Sequence, residues 1–299
     1  MSEREEAQRR ILAVEKREKK EKRGNEVWKR LKRKKVSVVA MIILLALFAM
    51  AIFAPLIAPY GYEEADLTRG LEGSSSEHLL GTDRLGRDIL SRLIWGSRQS
   101  LQIGILALTS ATILGVFVGS IAGYYGGFVD NAIMRFLDLF NGIPMFLLTV
   151  TLAAVLGPSL RNAILAIAIS MWPGSARLMR ASILSVREME YIEAAKSNNA
   201  NVWRIILRHI IPNAIAPVLV SYTMGMGMSV LQGASLSFIG LGVQPPIPEW
   251  GAMISDARSF MRSQPQLAIY PGILVMITVL AFNMLGDGLR DALDPRLKD

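Results

Sequence analysis

The sequence predicts an all-α membrane protein with six transmembrane helices. Three observations predict it: 52% of the residues are hydrophobic, the mean hydropathy is +0.35, and the apolar residues are clustered in long runs with no short period. A chain of this kind must satisfy its backbone N–H and C=O groups internally once it leaves water, and a helix does so within one segment.

Residues 36 to 58, VSVVAMIILLALFAMAIFAPLIA, carry no charge over 23 positions. At ~1.5 Å per residue they reach roughly 34 Å, enough to cross a hydrocarbon core of about 30 Å. A cleaved signal peptide does not fit, because a long polar stretch comes first and the apolar run is too extended. Further spans are predicted near 101 to 123, 132 to 157, 159 to 178, 213 to 241 and 267 to 287. The third opens with Asp130, Arg135 and Asp138, so its first two turns belong at the interface or against protein. The fourth contains Trp172, Pro173 and Gly174, which kink a helix where neighbours satisfy the freed carbonyls.

Of the 33 Lys and Arg, 15 lie in residues 1 to 35 against 7 acids, so the tail carries the whole net charge of +8. By the positive-inside rule the 1–35 tail is a cytoplasmic domain and 36–299 is the membrane domain, N-in and C-in. This puts residues 59–98 outside, with an interfacial helix built on Ile89, Leu90, Leu93, Ile94 and Trp95, and the 183–212 segment inside. The tail is read as a solvated extension whose KRLKRKK run stops at the lipid headgroups, not as a nucleic-acid arm. Membrane lipid is then a partner and nucleic acid is not.

There are no cysteines, which excludes disulfides and thiolate chemistry, and the histidines are His78 and His209 alone. No G-x-x-x-x-G-K-[ST] occurs, so the chain lacks a phosphate cradle of its own; no catalytic residue and no metal or other cofactor is predicted. Carboxylates are absent from 142–186 and from 194–248, which disfavours a gradient-driven transporter or channel. Gly115, Gly119 and Gly123 recur every fourth residue and suit close helix packing. The run Met224, Gly225, Met226, Gly227, Met228, with Gln232 one turn on, admits two readings: packing, or the pliant wall of a translocation path.

YIEAAKSNNANVWRIILRHIIPNA, residues 191 to 214, interrupts this apolar pattern. Helix formers give way at Asn198 and Asn199, and Val202, Ile205, Ile206 and Ile210 then resume an apolar face, so the pattern is helix, turn, helix. Glu193, Ala194 and Ala195, a turn position and Pro212 resemble the EAA motif of permease subunits of ABC importers. HLLGTDRLGRDILSRLIWGSRQSL at 78–101, LSFIGLGVQPPIPEWGAMISD at 236–256 and LAFNMLGDGLRDALDP at 280–295 narrow the resemblance to the C-type permease of the dipeptide and oligopeptide class.

The resemblance implies a MetI-like permease fold in the cell (inner or plasma) membrane, with peptide import by alternating access. It implies a second, different permease, two cytosolic ATP-binding subunits that hold ATP and Mg, and an extracytoplasmic substrate-binding protein. Nickel, glutathione or another small ligand is the alternative cargo. Glu193, Ala194, Ala195, Asn199, Ala200, Val202, Arg204 and Pro212 would dock on the ATPase; the family's glycine is replaced by Asn199, which tolerates a left-handed turn. Asp83, Arg84, Arg87 and Asp88 have two open readings: contacts for the binding protein, or caps and headgroup contacts. Asp287, Arg290, Asp291 and Asp294 are read as intrahelical pairs and caps.

Overall fold

The computed structural model describes residues 26–197 and 201–294, with the backbone alone at 194–196. The 198–200 turn, with Asn199 and Ala200, lies outside the described residues, as do residues 1–25 of the basic tail.

The chain forms α1 Lys35–Ile52, α2 Ala54–Ile57, α3 Ile89–Tyr125, α4 Gly127–Asn141, α5 Met145–Leu156, α6 Leu160–Val186, α7 Glu190–Ser197, α8 Val202–Ile205, α9 Ile211–Ala214, α10 Ala216–Phe238, α11 Trp250–Ala257 and α12 Gln266–Leu293. α1, α3 and α12 are each long and apolar enough to cross a membrane, and the pairs α4–α5 and Val202–Ala214 with α10 are so when each is taken as one bent unit.

Helix directions follow from close contacts. A Cβ on Gly115 would meet Ser175 at 2.5 Å and one on Gly123 would meet Ile183 at 2.9 Å, so both sequences ascend together and α3 and α6 are parallel. Without side chains at 115, 119 and 123, the α3 backbone lies against that of α6 in the most extensive helix contact of the molecule. Ile103 opposes Gly233 while Leu108 opposes Gly225, so α10 runs against α3. Gly286 meets Met224 and Gly227 meets Val279, so α12 runs against α10. Lys34 pairs with Asp291 and Arg30 Nη1 donates to the Asp294 carbonyl at 3.4 Å, which puts both ends of the helical part on one side.

The third predicted span is corrected. It is not one helix: α4 and α5 meet at 82°, where Gly142 and Pro144 interrupt the hydrogen-bond ladder. α5, with 12 residues, reaches about 18 Å and cannot cross alone. Yet Asn162 Nδ2 donates to the Leu156 carbonyl at 2.7 Å, at the far end of α6, so α4 and α5 together carry the chain back. The WPG sequence does not interrupt α6, which runs through Pro173 for 27 residues. A separate interfacial helix is also absent, since Ile89, Leu93 and Ile94 are buried in the first turns of the 37-residue α3.

Candidate functional site

Three places carry chemistry: a polar hairpin at one end of the bundle, an ionic clasp at the other, and a cavity between them.

The hairpin follows α6. Arg187 closes that helix, its Nη1 donating to the Gly123 carbonyl at 3.1 Å. In α7, Ile192 is fully buried, and it clusters with Ile205, Ile210, Ala214 and Val218 against Met179, Ile183 and Val186 of α6. The Asn201 side chain caps α8, accepting from Trp203 N at 2.9 Å. Residues Ile206–Ile210 then form a π-helical turn, an insertion consistent with Pro212, which offers no N–H to close an α-helical bond one turn back. Glu193, Trp203, Arg204, Leu207, Arg208 and Pro212 are exposed, and Val202 is half-buried. Trp203 stacks on Phe117 of α3 with ring centroids 6.2 Å apart. The side chains of Ala194 and Ala195 lie outside the described residues. The hairpin therefore grips the end of α6 by an apolar face and offers charge and aromatic surface on the other.

At the opposite end, the 78–101 and 236–256 motifs fold onto one another. Gly81 and Gly86 adopt φ of +82° and +72°, and a Cβ at Gly86 would overlap the Asp66 backbone. Asp83 accepts from Leu85 N at 2.8 Å and pairs with Arg87 at 2.7 Å. Asp88 caps α3 through Ser91 N at 2.7 Å and holds His78 Nδ1 at 3.0 Å. Arg92 Nη1 donates to the carbonyls of Tyr62 and Pro246, and Arg87 approaches Asp256 at 3.7 Å. Glu249, fully buried, caps α11 and accepts from Ser100 Oγ at 2.8 Å; Trp250 Nε1 donates to the Leu93 carbonyl at 3.1 Å. Of the four candidate outer contacts, Arg84 alone is exposed; Arg87 and Asp88 are buried and Asp83 is nearly so.

The reading of the C-terminal charges needs one correction: Asp291 pairs with Lys34 across the bundle instead of within its helix.

Between the two ends lies an open cavity of about 450 Å³ at the α4–α5 break, lined by Thr112, Asn141, Pro144, Ser175, Ser221 and Tyr222 among others. Sequence reasoning missed it, although the G-I-P sequence after Asn141 is a helix-break signal. Met224, Met226, Met228 and Gln232 do not line it: Met226 and Gln232 are buried, Met224 packs on Gly286 and Met228 is on the outer surface. Tyr222, Ser221 and Gly225 represent α10 there.

A bundle of apolar helices with a polar-faced hairpin at one end and a locked loop at the other fits a permease-type membrane subunit. Residues 115–299 match the family described as binding-protein-dependent transport system inner membrane component, and residues 23–72 match the N-terminal TM domain of oligopeptide transport permease C. The chain belongs to this family and is an ABC importer permease of the inner membrane.

It is 48% identical to the dipeptide transport system permease protein DppC of Alkalihalophilus pseudofirmus, over 91% of this chain and 90% of that one. It is 46% identical to the glutathione transport system permease protein GsiD of Pectobacterium atrosepticum, over 91% of each. The fold is similar to that in the inward-facing MetNI methionine ABC transporter, with a TM-score of 0.56 and 17% identity over 69% of this chain and 98% of that chain.

Proposed function

We propose that the chain is one of two different permeases in an importer that moves small peptides into the cytoplasm, powered by two separate ATP-binding subunits and fed by an extracytoplasmic binding protein. The glutathione permease relative supports a second reading within the same chemistry, since glutathione is itself a small peptide.

The observation that carries the mechanism is the hairpin. Its buried face packs on α6, and its exposed face presents Glu193 and Arg204 on the side where Lys34 and Asp291 meet. Six passes and an N-in, C-in topology are supported by the alternation of helix directions and by the basic residues 29–35 at that same end. Closure of the ATPases on the hairpin would pull α6 and α10 together, because the hairpin joins one to the other. Arg84 is the outer residue offered to the binding protein, with Asp83, Arg87 and Asp88 shaping its loop.

Glu193→Lys tests this reading. Binding-protein-stimulated ATP hydrolysis by the assembled complex should fall at least fivefold; stimulation equal to wild type would remove the docking role.

A further inference from the structure

A corner at the basic end of the bundle is shaped for one kind of ligand. Residues 26–33 form a helix of their own, which Lys34, in extended conformation, separates from α1. One face of that helix is tied to the end of α12. Leu31 is buried against Gly288, Arg30 Nη1 donates to the Asp294 carbonyl at 3.4 Å, and Lys34 pairs with Asp291. The segment is therefore held on the folded bundle.

Among the described residues nothing covers its other face. Trp28 and Lys32 stand one turn apart, and with Val38, Met41, Ile42 and Leu45 of α1 they line an open groove of about 400 Å³. The Lys32 ammonium lies over the Trp28 ring, 4.7 Å from its centroid, and is the one charged group in that lining. Between residues 26 and 62 one acid, Glu26, stands against six basic residues, and of those six only Lys34 meets a carboxylate among the described residues. Lys29, Lys32, Arg33 and Lys35 are all exposed. From Lys35 to Leu45, α1 rises about 15 Å, which is half of a hydrocarbon core of about 30 Å.

The groove thus begins among uncompensated cations at headgroup level and runs one leaflet deep along aliphatic side chains. An occupant that satisfies both ends carries negative charge at one and a long apolar chain at the other. We propose that this groove is a binding site for one anionic phospholipid, with its phosphate among Lys29, Lys32 and Lys35 and an acyl chain along Val38, Met41, Ile42 and Leu45. Each basic residue near a membrane surface strengthens the attraction for anionic lipid roughly fivefold, and an indole such as that of Trp28 settles at the same depth. A zwitterionic lipid fits less well, because it brings an ammonium to a corner where Asp291 is already held by Lys34. The site is separate from the α4–α5 cavity, and its occupancy does not depend on the cargo.

The test uses the assembled complex in nanodiscs of phosphatidylcholine with a minor fraction of phosphatidylglycerol. This chain has no native cysteine, so a bimane label goes on Val39→Cys, exposed beside the groove, or on Leu280→Cys, exposed on α12, each corrected for the complex without that cysteine. Quenching by brominated phosphatidylglycerol, divided by quenching from an equal fraction of brominated phosphatidylcholine, cancels the depth of the label. That ratio should be at least threefold higher at Val39 than at Leu280.

Replacing Lys29, Lys32 and Lys35 together by Gln should bring the Val39 ratio down to the Leu280 value. Ile42→Trp fills the groove and keeps every charge; it should lower the ratio at least twofold, which separates a seated lipid from diffuse attraction to a basic surface. Equal ratios at the two positions, a Val39 ratio indifferent to the three lysines, or one undiminished by Ile42→Trp would overturn the site. Absence of quenching at Val39 by either lipid would show that protein covers the groove, and would overturn it as well.

Discussion

The ionic clasp and the polar hairpin, at opposite ends of the bundle, are held in opposite ways. The clasp is a network: Asp83, Asp88 and Glu249 each accept several donors, Arg87 and Arg92 are buried among carboxylates and carbonyls, and Trp250 is fully enclosed. Each link ties together groups that are mostly buried, so the loop cannot shift without breaking several directional bonds at once. The hairpin is attached by aliphatic side chains, one stacked ring pair and a π-helical turn. Apolar contact is non-directional, so a segment held by it can slide or tilt without orphaning a hydrogen bond. A fixed end and a yielding end suit a machine pushed from one side.

The comparison breaks most readily at Trp250. Trp250→Ala should cost about 3–5 kcal/mol, since it empties a fully buried site and removes the Nε1 bond to the Leu93 carbonyl. A large fall in the thermal midpoint of the purified complex is expected; a fall no larger than that of Glu193→Lys would abolish the distinction.

Asp88→Ala should cost about 1–2 kcal/mol through loss of the α3 cap, with His78 also left unpaired. Chemical denaturation checks the figure. Glu193→Lys, on the exposed face, should change stability by less than about 0.5 kcal/mol while still reducing ATPase stimulation. That contrast sharpens the division between a structural clasp and a working hairpin.

The smallest effect is on pH. The Arg69 guanidinium beside Glu72 holds that carboxyl below the usual range, and the Thr68 hydroxyl and N–H do the same for Asp66. Carboxyls lowered in the fold contribute stability above their unfolded values, and that contribution is lost as pH falls through the depressed values. The outer loop should therefore hold its order down to pH values below the ordinary 3.8 of Asp and 4.5 of Glu. Hydrogen exchange of residues 66 to 82 at pH 6 and pH 3 reads this; equal protection at the lower pH only without Arg69 would contradict it.

Much of this was legible along the chain. The uncharged run at 36–58 covers all of α1 but Lys35, and the hairpin's apolar positions Ile205, Ile206 and Ile210 are the buried ones. The glycines at 115, 119 and 123 announced a close helix contact without naming the partner. Less could be read where helices face protein instead of lipid. α6 carries Arg161, Arg177 and Arg180 and does not by itself pass as a membrane span, because α3, α4 and α5 surround it and Asp130 and Asp138 answer its charges. The same shielding hid the break at Gly142 inside an apolar stretch.

By itself the sequence determined that this is a helical membrane protein with a polar hairpin, because hydropathy and charge act residue by residue along a segment. Tertiary structure alone decided that α4 and α5 meet at a sharp bend, that Lys34 meets Asp291, that the 78–101 and 236–256 motifs lock together, and that a cavity opens at the α4–α5 break. Each of those depends on groups distant in sequence meeting in space, where one ion pair or one missing side chain settles which helices approach, and no local pattern records its partner.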